Sequence, residues 1–148
     1  MASVARSVLI AVPPSRVYQA YTDFASWPRW VPHFRELAPL DGGALAPGFR
    51  ARIRETNGRV AAVWEVTEVS PGRSFAWRTA FLPGLRLTVD HVAEAEGPGT
   101  RATLRLHADG PLGLLIAPVG LWLTRRTFDR SLAALKALLE RGGAHLSS

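Results

Sequence analysis

Histidine is the side chain best suited to exchanging a proton near neutral pH, and this chain has four, His33, His91, His107 and His145. No two of them stand at a metal-ligating spacing, so no metal centre is expected. Cysteine is absent, which removes thiol nucleophiles, disulfides and thiolate-bound metals together. No G-x-S-x-G elbow, phosphate loop or dinucleotide-binding glycine fingerprint occurs, and no cofactor is expected. His91 differs from the other histidines in its surroundings. It continues an alternating apolar series two positions after Val89, and cross-strand pairing sets it between Phe75 and Leu104. The same pairing puts Glu68 in its row, on the far side of Phe75. Two strand spacings separate the two backbones by about 9–10 Å, a gap that long side chains or one water can bridge. A histidine steered by a carboxylate suits enolisation or aldol chemistry at a carbonyl compound, and His91 and Glu68 are the catalytic candidates. The plainer role for a lone histidine on an apolar face is that of a hydrogen-bonded core residue. Thr79, between Trp64 and Leu87, is either a ligand-orienting hydroxyl or an ordinary strand residue. Glu55 and Thr100 fall near strand ends and read as a solvated rim.

That row requires a sheet in a definite register, and the turns supply one. Asn57-Gly58 is a strong two-residue hairpin turn and sets Ile53 against Ala62 and Ala51 against Trp64. Pro71-Gly72 turns the next pair, with Val66 opposite Trp77 and Trp64 opposite Thr79. A three-residue loop at 82–84 puts Phe81 opposite Leu85, Trp77 opposite Val89 and Phe75 opposite His91. A four-residue loop at 96–99 sets His91 against Leu104 and Val89 against Leu106. The turns are assigned locally, yet the apolar residues of five strands fall on one face. A slip of one residue would turn any strand over, so the agreement predicts an antiparallel meander with one buried face.

The opposite face carries charge in matched pairs. Glu65 stands between Arg50 and Arg78, Asp90 beside Arg105, and Glu94 beside Arg101; Arg52, Arg54 and Arg86 have no evident partner there. Such cross-strand pairs contribute roughly 0.2–1 kcal/mol each. The net charge of +6 is therefore read mainly as a solvated, charge-matched surface, and no nucleic-acid partner is expected. A basic module meeting anionic lipid or nucleic acid through Arg52, Arg54 and Arg86 is the least favoured reading, and its binding would weaken steeply with salt. The 148 residues fit one domain, 1–148, and a hydrophobic content of 47% argues against disorder. The run at 8–12 is too short for a signal-peptide core. The longest apolar run, at 111–123, is shorter than a membrane span and is broken by Pro118 and Gly120, so no stable membrane insertion is expected. A cytoplasmic location is expected, and oligomeric state is left open.

The two ends complete the order of elements. A strand over 4–12 leads to a helix opened by Pro14-Ser15, with Val17, Tyr21 and Phe24 on one face. Pro28 and Pro32 then limit the chain to short helical pieces, and a strand follows that stops at the "DGG" of 41–43. The chain ends in a helix over 119–141 with the stripe Leu121, Phe128, Leu132, Leu135 and Leu139. In this helix Asp129 is spaced to pair with Arg125, and a separate turn covers 112–117.

This order, together with the stretches "VPPSRVYQAYTDFASWPRWVPHF", "WEVTEVSPGRSFAWR" and "GPGTRATLRL", resembles the SRPBCC superfamily, which groups START lipid-binding domains, birch-pollen-allergen-like proteins and polyketide cyclases. The D-x-x-x-W-P-x-W segment from Asp23 to Trp30 is similar to the polyketide cyclase/dehydrase-like branch. The resemblance implies an α+β helix-grip fold: a curved seven-stranded antiparallel sheet around a long C-terminal helix, with two short helices after the first strand and a hydrophobic cavity inside. It implies a hydrophobic small-molecule ligand, held by Trp27, Trp30, Phe34, Trp64, Phe75, Trp77, Thr79 and Val89. Trp27, Trp30 and Phe34 are either a wall of that cavity or a plug of the core. Two functions follow from the resemblance. One is a cyclase or aromatase acting on a poly-β-ketone or similar natural-product intermediate. The other is a non-catalytic carrier or sensor of a lipid, an isoprenoid quinone or another apolar ligand.

Overall fold

The computed structural model describes residues 2–31, 34–40, 44–55 and 61–146. The Asn57-Gly58 turn, the stop at 41–43 and His33 lie outside them. The elements run β1 (Ala2–Ile10), α1 (Pro14–Thr22), a 3₁₀ turn (Phe24–Arg29), β2 (Phe34–Pro39), β3 (Arg50–Glu55), β4 (Ala61–Ser70), β5 (Ser74–Leu82), β6 (Leu85–Glu96), β7 (Gly99–Asp109) and α2 (Pro111–Leu146). The seven strands form one antiparallel sheet in the order β1-β7-β6-β5-β4-β3-β2. This is the helix-grip architecture, with α2 packed across the sheet.

The expected register holds through the centre of the sheet. Ala51 pairs with Trp64, Val66 with Trp77, Trp77 with Val89, Phe75 with His91, and His91 with Leu104. Three turns differ in detail. Pro71-Gly72-Arg73 is a three-residue loop, with Gly72 at φ +78° and Ser70 paired to Ser74. A bulge between Val66 and Glu68 absorbs the extra residue and restores the register. Between bulge and turn, however, each side chain of β4 is reversed from the expectation. Glu68 pairs with Ala76 and is exposed on the outer face. The β5–β6 turn is the two-residue Pro83-Gly84, because Leu82 and not Phe81 pairs with Leu85, and a bulge lies between Thr79 and Leu82. Pairing between β6 and β7 continues to Glu96 and Gly99, so that loop too has two residues.

The C-terminal helix begins eight residues earlier than its sequence implies. Gly110 has φ +96°, and a Cβ there would collide with the Gly84 carbonyl oxygen. The chain thus passes directly under the β5–β6 turn, and the Leu112 amide donates to Gly84 O at 3.0 Å. Pro111 opens the helix where a missing amide costs nothing. Pro118, which the sequence marks as a break, sits inside the helix. It removes the bond to the Leu114 carbonyl on a side of α2 where both residues are exposed. Leu132, Leu135 and Leu139 bury the far half of α2 against the sheet. Exposed polar contacts to β1 and to the residue after it fix its direction: Arg6 to Asp129 at 2.8 and 3.1 Å, Lys136 to Leu9 O at 2.9 Å, and Glu140 accepting from the Ala11 amide at 2.9 Å. Asp129 therefore reaches across to β1 instead of pairing with Arg125 along the helix. Exposed ion pairs contribute up to about 1 kcal/mol each, so the leucine stripe dominates.

On the outer face Arg78 meets Glu65 at 3.8 Å and Arg105 meets Asp90 at 4.0 Å. Arg101 turns to Glu96 at 2.7 Å although its cross-strand neighbour is Glu94. Arg54 does have a partner, Glu36 at 3.5 Å, which corrects its expected isolation.

Candidate functional site

Alternation along β5 and β6 sends Phe75, Trp77, Val89 and His91 to the concave face, and α1 brings Tyr21 over them. The Tyr21 hydroxyl donates to Val92 O at 2.9 Å, and burial pushes its phenol well above the ordinary range. Trp27 Nε1 donates to Tyr21 O at 3.1 Å, which ties the 3₁₀ turn to α1. Phe24 stacks on Trp77 at 5.6 Å with only 10° between the ring planes. The two short helical pieces are thus bound to the sheet by hydrogen bonds and ring contacts together.

Between these pieces, the sheet and the middle of α2 lies a cavity of about 520 Å³. Trp27, Trp30, Val31 and Phe34 wall one side. Ile53, Trp64, Trp77, Leu87, Val89, His91, Leu104 and Leu106 wall the sheet side. Leu123, Thr124, Thr127, Phe128 and Ser131 come from α2. Trp27, Trp30 and Phe34 are each buried and also line the space, so they are core and wall at once. The size and apolar lining are those of a pocket for a small organic molecule.

His91 is 4% exposed and lies flat on Phe75, ring centroids 4.2 Å apart and 4° from parallel. Tyr21, Trp27 and Trp77 surround it at 5.6 to 5.7 Å. Its Nδ1 is 3.3 Å from the Phe75 carbonyl oxygen. A carbonyl can only accept, so Nδ1 carries the proton and Nε2 keeps its lone pair. Burial drives the imidazole pKa down to about 3, with the carbonyl offsetting only part of the fall. His91 is therefore neutral at physiological pH. It is an acceptor at Nε2 and a weak base.

Glu68 does not join it. The bulge in β4 places the carboxylate on the opposite face, in a depression lined also by Asp90, His107 and Asp109. Phe75 supports His91 from beneath without lining the cavity, and the Thr79 hydroxyl is spent on Val63 O at 2.8 Å. Thr100 is buried, not on a solvated rim, and its hydroxyl donates to Val12 O at 2.7 Å. Sequence reasoning passed over the hydroxyls of α2. Thr124, Thr127 and Ser131 stand at i, i+3 and i+7, a polar seam beside Phe128, and that spacing was the available signal. The Thr124 hydroxyl is bonded to Gly120 O at 2.8 Å, and Ser131 is 3% exposed. Among the described residues no group of three His, Asp or Glu comes together as a metal site.

A family profile described as "Polyketide cyclase / dehydrase and lipid transport" matches residues 1–140. The chain belongs to this family. No curated protein matches it in sequence. Among solved structures, this family member is similar to TTHA0849 from Thermus thermophilus, at 19% identity and a TM-score of 0.74 over 95% of this chain and 98% of that one. It is similar to Ara h 8.0201, at 13% identity and a TM-score of 0.69 over 93% and 96%. It is also similar to BexL, a di-domain ARO/CYC from the BE-7585A biosynthetic pathway, at 20% identity and a TM-score of 0.72. That match covers 93% of this family member and 46% of BexL. At these identities the likeness is one of fold. No helix among the described residues is long and apolar enough to cross a membrane.

Proposed function

We propose that this protein binds one apolar small molecule in the cavity and holds it without acid–base turnover, as a carrier or sensor. The observation that carries the reading is the cavity itself, about 520 Å³ with four tryptophans in its wall and a neutral histidine offering one acceptor. The ligand's hydroxyl or amine would donate to His91 Nε2, and its apolar body would lie against Trp64 and Trp77. A cyclase-type role has one feature in its favour, the Nε2 lone pair on the wall, and the family description includes both activities. Such a protein would act mainly by folding its substrate, since orientation alone lowers barriers substantially. The cost of protonating His91 opposes the proton-shuttle version.

A neutral apolar fluorophore, N-phenylnaphthylamine, tests the binding. Wild-type protein should enhance its emission saturably. Val89→Phe/Ser131→Phe, which fills the cavity from both sides, should weaken binding by about tenfold or more, with a cooperative melting transition showing that the variant is still folded. Equal affinity in the two proteins would place the probe elsewhere and remove the reading. A cyclase-type role is tested by offering a poly-β-ketone to wild type and to His91→Ala; an unchanged product distribution ends the role of His91.

A further inference from the structure

We propose that the N-terminal half of α2 docks on the surface of an anionic phospholipid bilayer. Leu114, Leu115, Val119, Trp122 and Leu123 are each between 52% and 77% exposed. Together they form an apolar ridge on the order of 500 Å², at the upper end of what a monomer exposes in one patch. Charge decides the partner. Arg125, Arg126 and Arg130 follow the ridge and are exposed, and no Asp or Glu occurs between Asp109 and Asp129. Asp129 itself is neutralised by Arg6 at 2.8 Å. Arg126 lies over the Trp122 ring, 5.3 Å from its centroid, so the indole and one cation of the collar are in direct contact. An apolar ridge ending in tryptophan and arginine fits a boundary between acyl chains and phosphates. The helix cannot cross a membrane, so the ridge lies in the interface. A net charge of +6 favours an anionic surface over a second copy of the chain. Leu123 belongs both to the ridge and to the cavity wall, so docking brings the edge of the cavity to the lipid. The docking stands whatever the cavity holds.

Cosedimentation with vesicles tests it. Wild-type protein should bind phosphatidylcholine–phosphatidylserine vesicles, bind phosphatidylcholine alone weakly, and release as salt rises. Leu115→Ser/Trp122→Ala should lose about tenfold in affinity for the mixed vesicles with an unchanged melting temperature, because both side chains are exposed. Undiminished binding by that variant would mean adsorption by net charge alone and would overturn the proposal. So would failure of the wild type to bind either vesicle. A dimer in lipid-free solution that the same two substitutions dissolve would assign the ridge to self-association instead, and would likewise overturn it.

Discussion

Acidification from pH 6.5 to pH 3 will remove on the order of 5 kcal/mol of folding stability through His91 alone. In the unfolded chain this imidazole takes up a proton below its ordinary value of 6.5, whereas in the folded protein it does so only near 3. Across that window the unfolded state holds the extra proton, so stability rises with pH and falls with acid. The slope is about 1.4 kcal/mol per pH unit. The rings packed on His91 belong to Phe75, Tyr21, Trp27 and Trp77, none of which supplies an anion to rescue the imidazolium near neutral pH. Urea midpoints for wild type and His91→Phe, measured from about pH 7 to about pH 5, isolate the effect. The variant should start lower, since it removes the imidazole hydrogen bond to the Phe75 carbonyl, at a cost of about 1 kcal/mol. It should then lose less with acid. Parallel curves would show that His91 is not held neutral by burial.

Trp77→Ala should destabilise the protein by about 3–5 kcal/mol. Trp77 is 2% exposed and makes ring contacts with Phe24, Trp27, Trp64, Phe75 and His91. It joins the 3₁₀ turn to the sheet, so its loss leaves a void that neither element can close alone. Trp122→Ala removes an equally large side chain from a half-exposed position, and should change stability by no more than about 0.5 kcal/mol. Chemical denaturation of the two variants gives the comparison directly. Similar losses would contradict the assignment of the aromatic cluster as the centre of the core.

The meander was legible because side chains alternate with period two, and each turn residue constrained the same register. Trp64, Trp77, Val89 and His91 are placed as expected because bulges in β4 and β5 offset the two turns whose lengths differ. Glu68 was misplaced because a three-residue turn and a bulge at Thr67 cancel each other. The Pro71-Gly72 dipeptide signals a two-residue turn and shows neither, and because the two compensate, only the residues lying between them are misplaced. Helix α2 was read as two pieces because Pro118 is a strong local breaker. What overrides it is tertiary: Gly110 passes against Gly84, and the helix must start at Pro111. Asp129 went to Arg6 for the same reason, since spacing along one helix cannot report a neighbouring strand. The cavity's apolar wall was readable as one face of the sheet. Its α2 hydroxyls were less so, because Thr124, Thr127 and Ser131 interrupt a helical stripe and look like surface residues until the helix is docked.

The five tryptophans give the most direct test of ligand occupancy, since Trp27, Trp30, Trp64 and Trp77 line the cavity and Trp122 lies outside it. Their indole N–H resonances are followed by NMR while a neutral apolar compound is titrated into the protein. Occupancy of the cavity predicts that the signals of Trp27, Trp30, Trp64 and Trp77 shift together and saturate, while that of Trp122 stays in place. Movement of the Trp122 signal alone, or no saturable movement of the other four, would contradict it.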